Sequence, residues 1–73
     1  MAKTEEIQGI LDTLERNGTA DFEADGGSFT VTPNGVTYIV AGIDANGNLR
    51  NFTIPSLPHL RRFLNVWKRV VWM

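Results

Sequence analysis

Two side chains of the types used in nucleophilic catalysis, Ser56 and His59, stand three residues apart in this 73-residue chain. A serine hydroxyl becomes a nucleophile when a base with a pKa near neutrality takes its proton, and His59 is the single histidine. The pair stands where a helix is predicted to begin, and serine at such a position is typical of a helix cap. The spacing therefore favours a structural role over a catalytic one.

Neighbouring carboxylates are the other source of acid–base chemistry. Asp21 and Glu23 alternate along a predicted strand and would share its outer face. A carboxyl group needs burial to raise its pKa into the catalytic range, and an outer face does not bury it. Asp25-Gly26-Gly27 is not followed by a predicted helix, so it does not match a phosphate-binding loop. We predict a protein that is not an enzyme and binds no cofactor.

Metal binding has one candidate segment, residues 44–48, which carries Asp or Asn at alternate positions as calcium loops do. An EF-hand loop needs glycine after its third ligand and glutamate at its twelfth position. Here Gly47 precedes Asn48, and the twelfth residue is Pro55. A hairpin turn explains the segment better. The chain has no cysteine and one histidine, so disulfides are excluded and a zinc site is not expected.

Charge is divided between the two parts of the chain. Residues 1–48 carry eight acidic side chains against Lys3 and Arg16, a net charge of −6. Residues 49–73 carry five basic side chains and no acidic one, a net charge of +5. Such a division serves either a charged partner or the packing of one half of the fold against the other.

The first predicted secondary-structure element is an amphipathic helix over residues 4–17. Thr4 can cap it, and Gly18 supplies a stop. Its apolar stripe follows the i, i+3, i+4, i+7 rule and consists of Ile7, Ile10, Leu11 and Leu14.

Four strand-like segments follow, separated by turn residues; the first two alternate between polar and apolar residues, and the third is the most apolar. They are Thr19–Ala24, Ser28–Thr32, Val36–Ile43 and Leu49–Ile54. A second helix is predicted after Pro55, with an apolar stripe of Leu57, Leu60, Leu64, Trp67 and Val71. We predict a single two-layer α+β domain over residues 1–73, an αββββα arrangement with an antiparallel meander sheet. Both helices would cover the sheet face that carries Phe22, Phe29 and Val31.

The C-terminal residues are more apolar than a chain end needs to be. On a continuous helix, Trp72 projects among Arg61, Asn65 and Lys68, away from the apolar stripe. A single helix packed on a single sheet cannot bury all of the apolar residues at the C-terminus. This predicts a subunit or partner interface at Trp72 and Met73. The alternative is that the last residues turn back and pack on the sheet edge. Strand 36–43 is apolar on both faces, which is typical either of a central strand in a small sheet or of a second face covered by another subunit.

These patterns predict a small protein that acts by protein–protein contact, as a homodimer or on a larger partner, of the accessory or inhibitor kind that mobile elements encode. The absence of a targeting segment and of cysteine predicts a cytoplasmic protein that does not bind membranes. The predicted contact residues are Val66, Trp72, Met73, Arg61, Arg62, Lys68 and Arg69, with Asp21, Glu23 and Asp25 as a second surface. The alternative is a nucleic-acid-binding module that uses the basic face of the last helix.

Overall fold

The computed structural model describes residues 3–67 and 70–72, and of Lys3, Val71 and Trp72 it describes the backbone. The predicted α+β class and the order helix, four antiparallel strands, helix are confirmed, and a short fifth strand follows. The elements are α1 (Lys3–Asn17), β1 (Ala20–Ala24), β2 (Gly27–Asn34), β3 (Thr37–Ile43), β4 (Leu49–Ile54), α2 (Leu57–Val66) and β5 (Val70–Trp72).

The described strands form one antiparallel sheet in the order β4-β3-β2-β1-β5. Two-residue turns join β1 to β2 and β2 to β3, where the predicted strand bounds leave three residues in each turn. Asp25 and Gly26 both have positive φ in the first turn (50° and 84°), and Gly35 has a φ of 67° in the second. Positive φ in these positions matches the right-handed twist of the flanking strands, so the turns hold the meander in register.

The core lies between one face of the sheet and the two helices. The apolar stripe of α1 packs on β1 and β5, and α2 packs on β3 and β4. Phe22, Phe29 and Val31 are buried on this face, which confirms the prediction that both helices cover it. Tyr38 and Phe52 pack against the same core and are partly buried.

The second helix is shorter than its apolar spacing predicts. It ends at Val66, and Trp67 has an extended backbone (φ −70°, ψ 140°), so the predicted stripe through Val71 is wrong. The physical reason is an aromatic cluster: the Trp67 ring lies 4.9 Å from that of Phe29 and 4.6 Å from that of Phe63. Leaving the helix at Trp67 lets the chain reach the edge of the sheet, where Val70 pairs with Ala24 and is fully buried.

Candidate protein-contact surface

The predicted C-terminal contact residues do not form one helical face. Arg61, Arg62 and Val66 are exposed on α2, with Val66 at 76%. Position 72 belongs to β5 and pairs with Phe22, so the placement of Trp72 beside Arg61 on a helix is wrong. The backbone of β5 follows the alternative in which the last residues pack on the sheet edge. The predicted contacts of Lys68, Arg69 and Met73, and of the Trp72 side chain, lie outside the described residues.

A groove of about 600 Å³ separates the two helices at one end of the sheet. Its apolar walls include Leu11, Leu14 and Leu57. Its polar lining carries side chains of opposite charge, from Asp12 and Glu15 of α1 and from Arg61 of α2, together with Gln8 and Tyr38. Two carboxylates from the acidic part of the sequence and one guanidinium from the basic part therefore line the same groove.

The acidic residues of the second predicted surface are only partly brought together. Asp21 and Glu23 are both exposed on the outer face of β1, the face turned away from the helices. The Thr30 hydroxyl donates a hydrogen bond of 2.7 Å to Asp21 Oδ1 across the β1–β2 pair. Asp25 lies beyond the end of the strand, in the turn. The outer face of β1 thus carries two of the three predicted carboxylates.

Ser56 and His59 are in contact at the start of α2, with 2.6 Å between Ser56 Oγ and His59 Nδ1. Ser56 occupies the N-cap position, and its carbonyl accepts the first helical hydrogen bond from the Leu60 N–H (2.9 Å). Its hydroxyl bonds the imidazole instead of a free backbone N–H of the first turn. His59 is exposed, so the pair stands at the helix surface and not in a cleft that would exclude water.

The outer face of the β3–β4 hairpin carries an apolar patch, formed by the outer face of strand 36–43 and by Leu49. We call the set Ile39, Ala41, Ile43 and Leu49 the hairpin patch. Ile43 and Leu49 face each other as a cross-strand pair at the end of the hairpin and are 49% and 84% exposed. The apolar second face of strand 36–43 is evident from the sequence. The pairing of Leu49 with Ile43 is not, because it depends on the register of the turn.

β4 is also an edge of the sheet, with β3 on one side and no described strand on the other. The directions of its backbone groups follow from the turn before it. The Asp44 N–H donates to the Asn48 carbonyl at 3.0 Å, so these two residues form a hydrogen-bonded pair. In antiparallel strands such pairs alternate with non-bonded ones, so Arg50, Phe52 and Ile54 bond to β3.

The backbone groups of the other residues of β4, namely Leu49, Asn51 and Thr53, therefore point away from the sheet. The turn between β2 and β3 leads to the same assignment. A two-residue turn closes with a bond from the N–H of residue i+3 to the carbonyl of residue i, here from Thr37 to Asn34. The backbone groups of Thr37 therefore point towards β2, and those of Tyr38 point towards β4. Edge strands are usually protected by lysine, proline or a bulge. β4 carries Arg50 as its single charged residue and no proline.

The turn between β3 and β4 is held by Asp44. Its Oδ1 accepts hydrogen bonds from the N–H groups of Asn46 (2.9 Å) and Asn48 (3.0 Å), and its Oδ2 lies 3.4 Å from Arg50 Nη1. These are hairpin contacts, which confirms a turn in the segment that resembles a calcium loop. The Asn48 N–H does most to lower the pKa of Asp44 below its ordinary value of 3.8, and Asn46 and Arg50 act in the same direction.

A lowered pKa means that the Asp44 carboxylate stabilises the fold above its unfolded pKa and that this contribution is lost as pH falls through the folded value. We expect the urea midpoint of the wild-type protein to be higher than that of Asp44→Asn at pH 7. This difference should shrink steadily as the pH falls below 4. The measurement is urea unfolding of both proteins from pH 7 to pH 2. An NMR titration that placed the Asp44 carboxyl at or above 3.8 would contradict the expectation.

No protein-family model matches this chain, and comparisons with curated proteins and with solved structures give no match either. Within residues 3–67 and 70–72, no helix is long and apolar enough to cross a membrane. Functional inference therefore depends on the surface geometry described above.

Proposed function

We propose that this chain is a small protein-binding protein without catalytic activity that acts by protein–protein contact and self-associates through the hairpin patch. The observation that carries the proposal is the cross-strand pair of Ile43 and Leu49, two large apolar side chains that are half to mostly exposed on the same surface. Burial of apolar surface contributes about 25 cal/mol per Å², so a partner that covers this pair gains directly from its desolvation.

The surroundings of the hairpin patch suit a protein contact. Its neighbours across the strands are Thr30, Thr32, Asn51 and Thr53, which are uncharged and able to form hydrogen bonds. The acidic side chains of the outer face, Asp21 and Glu23, are two strands away on β1. An apolar centre with a polar margin is the usual anatomy of a protein interface.

The test is the native mass by sedimentation, at several protein concentrations and at low and high salt. A dimer that persists at high salt is expected, because an apolar contact is only weakly screened. We expect Leu49→Lys to weaken self-association at least about tenfold, a loss of about 1.4 kcal/mol or more. The folded monomer should be retained, because the Leu49 side chain is already in water.

Val36→Lys is the matched control for this variant. Val36 is 85% exposed and lies in the turn between β2 and β3, at the opposite end of β3 from Leu49. The same apolar-to-lysine change there should leave the mass unchanged if the hairpin patch is the contact. Equal weakening by both variants would show a general effect of charge and would contradict the proposal.

Nucleic-acid binding is the second candidate function. The observation in its favour is that Arg61 and Arg62 are exposed on α2, which carries no acidic residue in its first turn. Binding to a nucleic acid should weaken steeply with salt, whereas the dimer should not. A monomer at both salt concentrations together with salt-sensitive binding to a DNA or RNA oligonucleotide would favour this candidate over the first.

A further inference from the structure

We infer that β4 pairs antiparallel with β4 of a second copy of this chain, about a two-fold axis at Asn51, so that two five-stranded sheets join into one. The inference rests on the proposed self-association and names its geometry. It starts from the free edge, where the backbone groups of Leu49, Asn51 and Thr53 point out of the sheet. Such an edge is a template for an added strand, because a strand presents donors and acceptors at the same spacing.

The hydrogen-bonding phase requires the outward residues of the two copies to face one another, and the number of groups that are paired places the axis at Asn51. An axis at Arg50 keeps the phase but sets Arg50 against its own copy, and an axis at Phe52 sets Leu49 opposite Pro55. With Asn51 opposite Asn51 of the second copy, Leu49 lies opposite Thr53, and all outward groups of the strand are used. Three such pairs exchange about six backbone hydrogen bonds. An axis at Thr53 would place Asn51 opposite Pro55, which has no N–H to donate. An axis at Leu49 would place Asn51 opposite Gly47, which lies in the turn and has a φ of 82°.

The side chains of β4 are compatible with this pairing on both faces of the sheet. On the outer face the two copies of Asn51 meet, and Leu49 of each copy gains the Thr53 side chain of the other as neighbour. On the helix-covered face Arg50 stands opposite Phe52 of the second copy. Within one chain the Arg50 guanidinium already lies 5.3 Å from the centre of the Phe52 ring, so the same cation–π contact extends across the axis.

A second copy fits this edge better than a generic extended peptide does. Strand Leu49–Ile54 is self-complementary about Asn51, and its single charged residue stands opposite an aromatic ring and not opposite its own copy. Arg50 is also close to Asp44 of its own chain, so the two like charges are each partly neutralised. The pairing places Leu49 of each copy beside Thr53 of the other, so the two hairpin patches lie on one continuous outer face of the joined sheet, with the two Leu49 side chains about 14 Å apart.

Proline scanning of β4 tests the inference. Proline at position 51 removes an N–H that faces away from β3, so we expect Asn51→Pro to fold and to lose at least tenfold in dimer affinity. Proline at position 52 removes an N–H that bonds to β3, so Phe52→Pro should fail to fold. Asn51→Thr, which keeps the backbone N–H, should remain dimeric. A fully dimeric Asn51→Pro would overturn the inference.

Single-cysteine cross-linking gives a second readout that does not depend on folding stability. The chain has no cysteine, so each variant has one possible disulfide, between its two copies. Residues in a hydrogen-bonded antiparallel pair have Cα atoms about 5.5 Å apart, within disulfide range, so Asn51→Cys should cross-link under mild oxidation. Leu49→Cys and Thr53→Cys are the matched controls, because four residue steps place each about 14 Å from its own copy.

The two experiments separate this inference from the proposed function. A native protein that is monomeric at every concentration removes both. A salt-resistant dimer in which Leu49→Lys weakens association, but in which Asn51→Cys cross-links no faster than Leu49→Cys, keeps the hairpin patch as the contact and overturns the β4 pairing. Preferential cross-linking at position 51 supports both.

Discussion

Replacement of Phe22 by alanine is expected to leave this domain largely unfolded at 25 °C. Phe22 is 0% exposed and lies at the centre of the aromatic cluster, with its ring 5.8 Å from that of Phe29 and 5.7 Å from that of Trp67. Truncation of a buried phenylalanine to alanine costs about 3–5 kcal/mol, from lost burial and from the cavity that remains.

That loss is large compared with the stability a chain of this size can reach. Domains are stabilised by about 0.05–0.15 kcal/mol per residue, which for 73 residues is about 4–11 kcal/mol. Small domains bury a smaller fraction of their surface and fall towards the lower end. The loss of the Phe22 ring therefore removes most or all of the free energy of unfolding.

Urea unfolding followed by circular dichroism measures the effect. Phe52→Ala is the matched control, because it is the same chemical change at a partly buried position of the same cluster. We expect its free energy of unfolding to fall by roughly half as much as that of Phe22→Ala. A Phe22→Ala protein that unfolds cooperatively with a loss under about 1 kcal/mol would contradict the packing described for β1.

Replacement of Gly42 by alanine is expected to lower the free energy of unfolding by about 3 kcal/mol or more, at the upper end of the range for overpacking. Gly42 is paired with Phe29 in the centre of the sheet. A Cβ atom at position 42 would overlap the Ser28 carbonyl oxygen and lie 2.7 Å from the Phe29 Cα. Both are backbone atoms, so no change of rotamer can relieve the contact, and β2 and β3 must move apart.

Gly35→Ala is the matched control for Gly42→Ala. A Cβ atom at position 35 would have no neighbouring atom within 4 Å, but the φ of Gly35 is 67°. Alanine there therefore meets conformational strain and no steric overlap. That strain costs about 1–2 kcal/mol. Thermal and urea unfolding of the two variants should rank Gly42→Ala as clearly the less stable. Equal losses would show that the close approach at Gly42 relaxes without effect.

Much of the fold follows from local patterns along the chain. The stripe of Ile7, Ile10, Leu11 and Leu14 predicts α1 because residues three and four apart share a helix face, and all four are buried. The meander follows in the same way from period-two alternation between turns rich in Gly and Asn. Strand and helix periods are properties of neighbouring residues, so they can be read without knowledge of the rest of the molecule.

The end of α2 could not be read in this way. Trp67 and Val71 continue the helical spacing, and nothing local stops the helix at Val66. The helix ends there because the Trp67 ring packs against Phe29, which is distant in sequence, and because an additional strand satisfies the free edge of β1. Contacts of this kind exist only once the sheet has formed.

The candidate interface shows the same division. Alternation in Leu49–Ile54 identifies a strand, and composition shows that it carries Arg50 as its single charge. That β4 lies at an edge, that Leu49 meets Ile43, and that Asn51 directs its backbone groups outward depend on strand order, turn register and hydrogen-bonding phase. Local patterns specified which residues form strands and helices, because periodicity is local. The surface left for a partner emerged from assembly, because strand pairing joins residues that the sequence keeps apart.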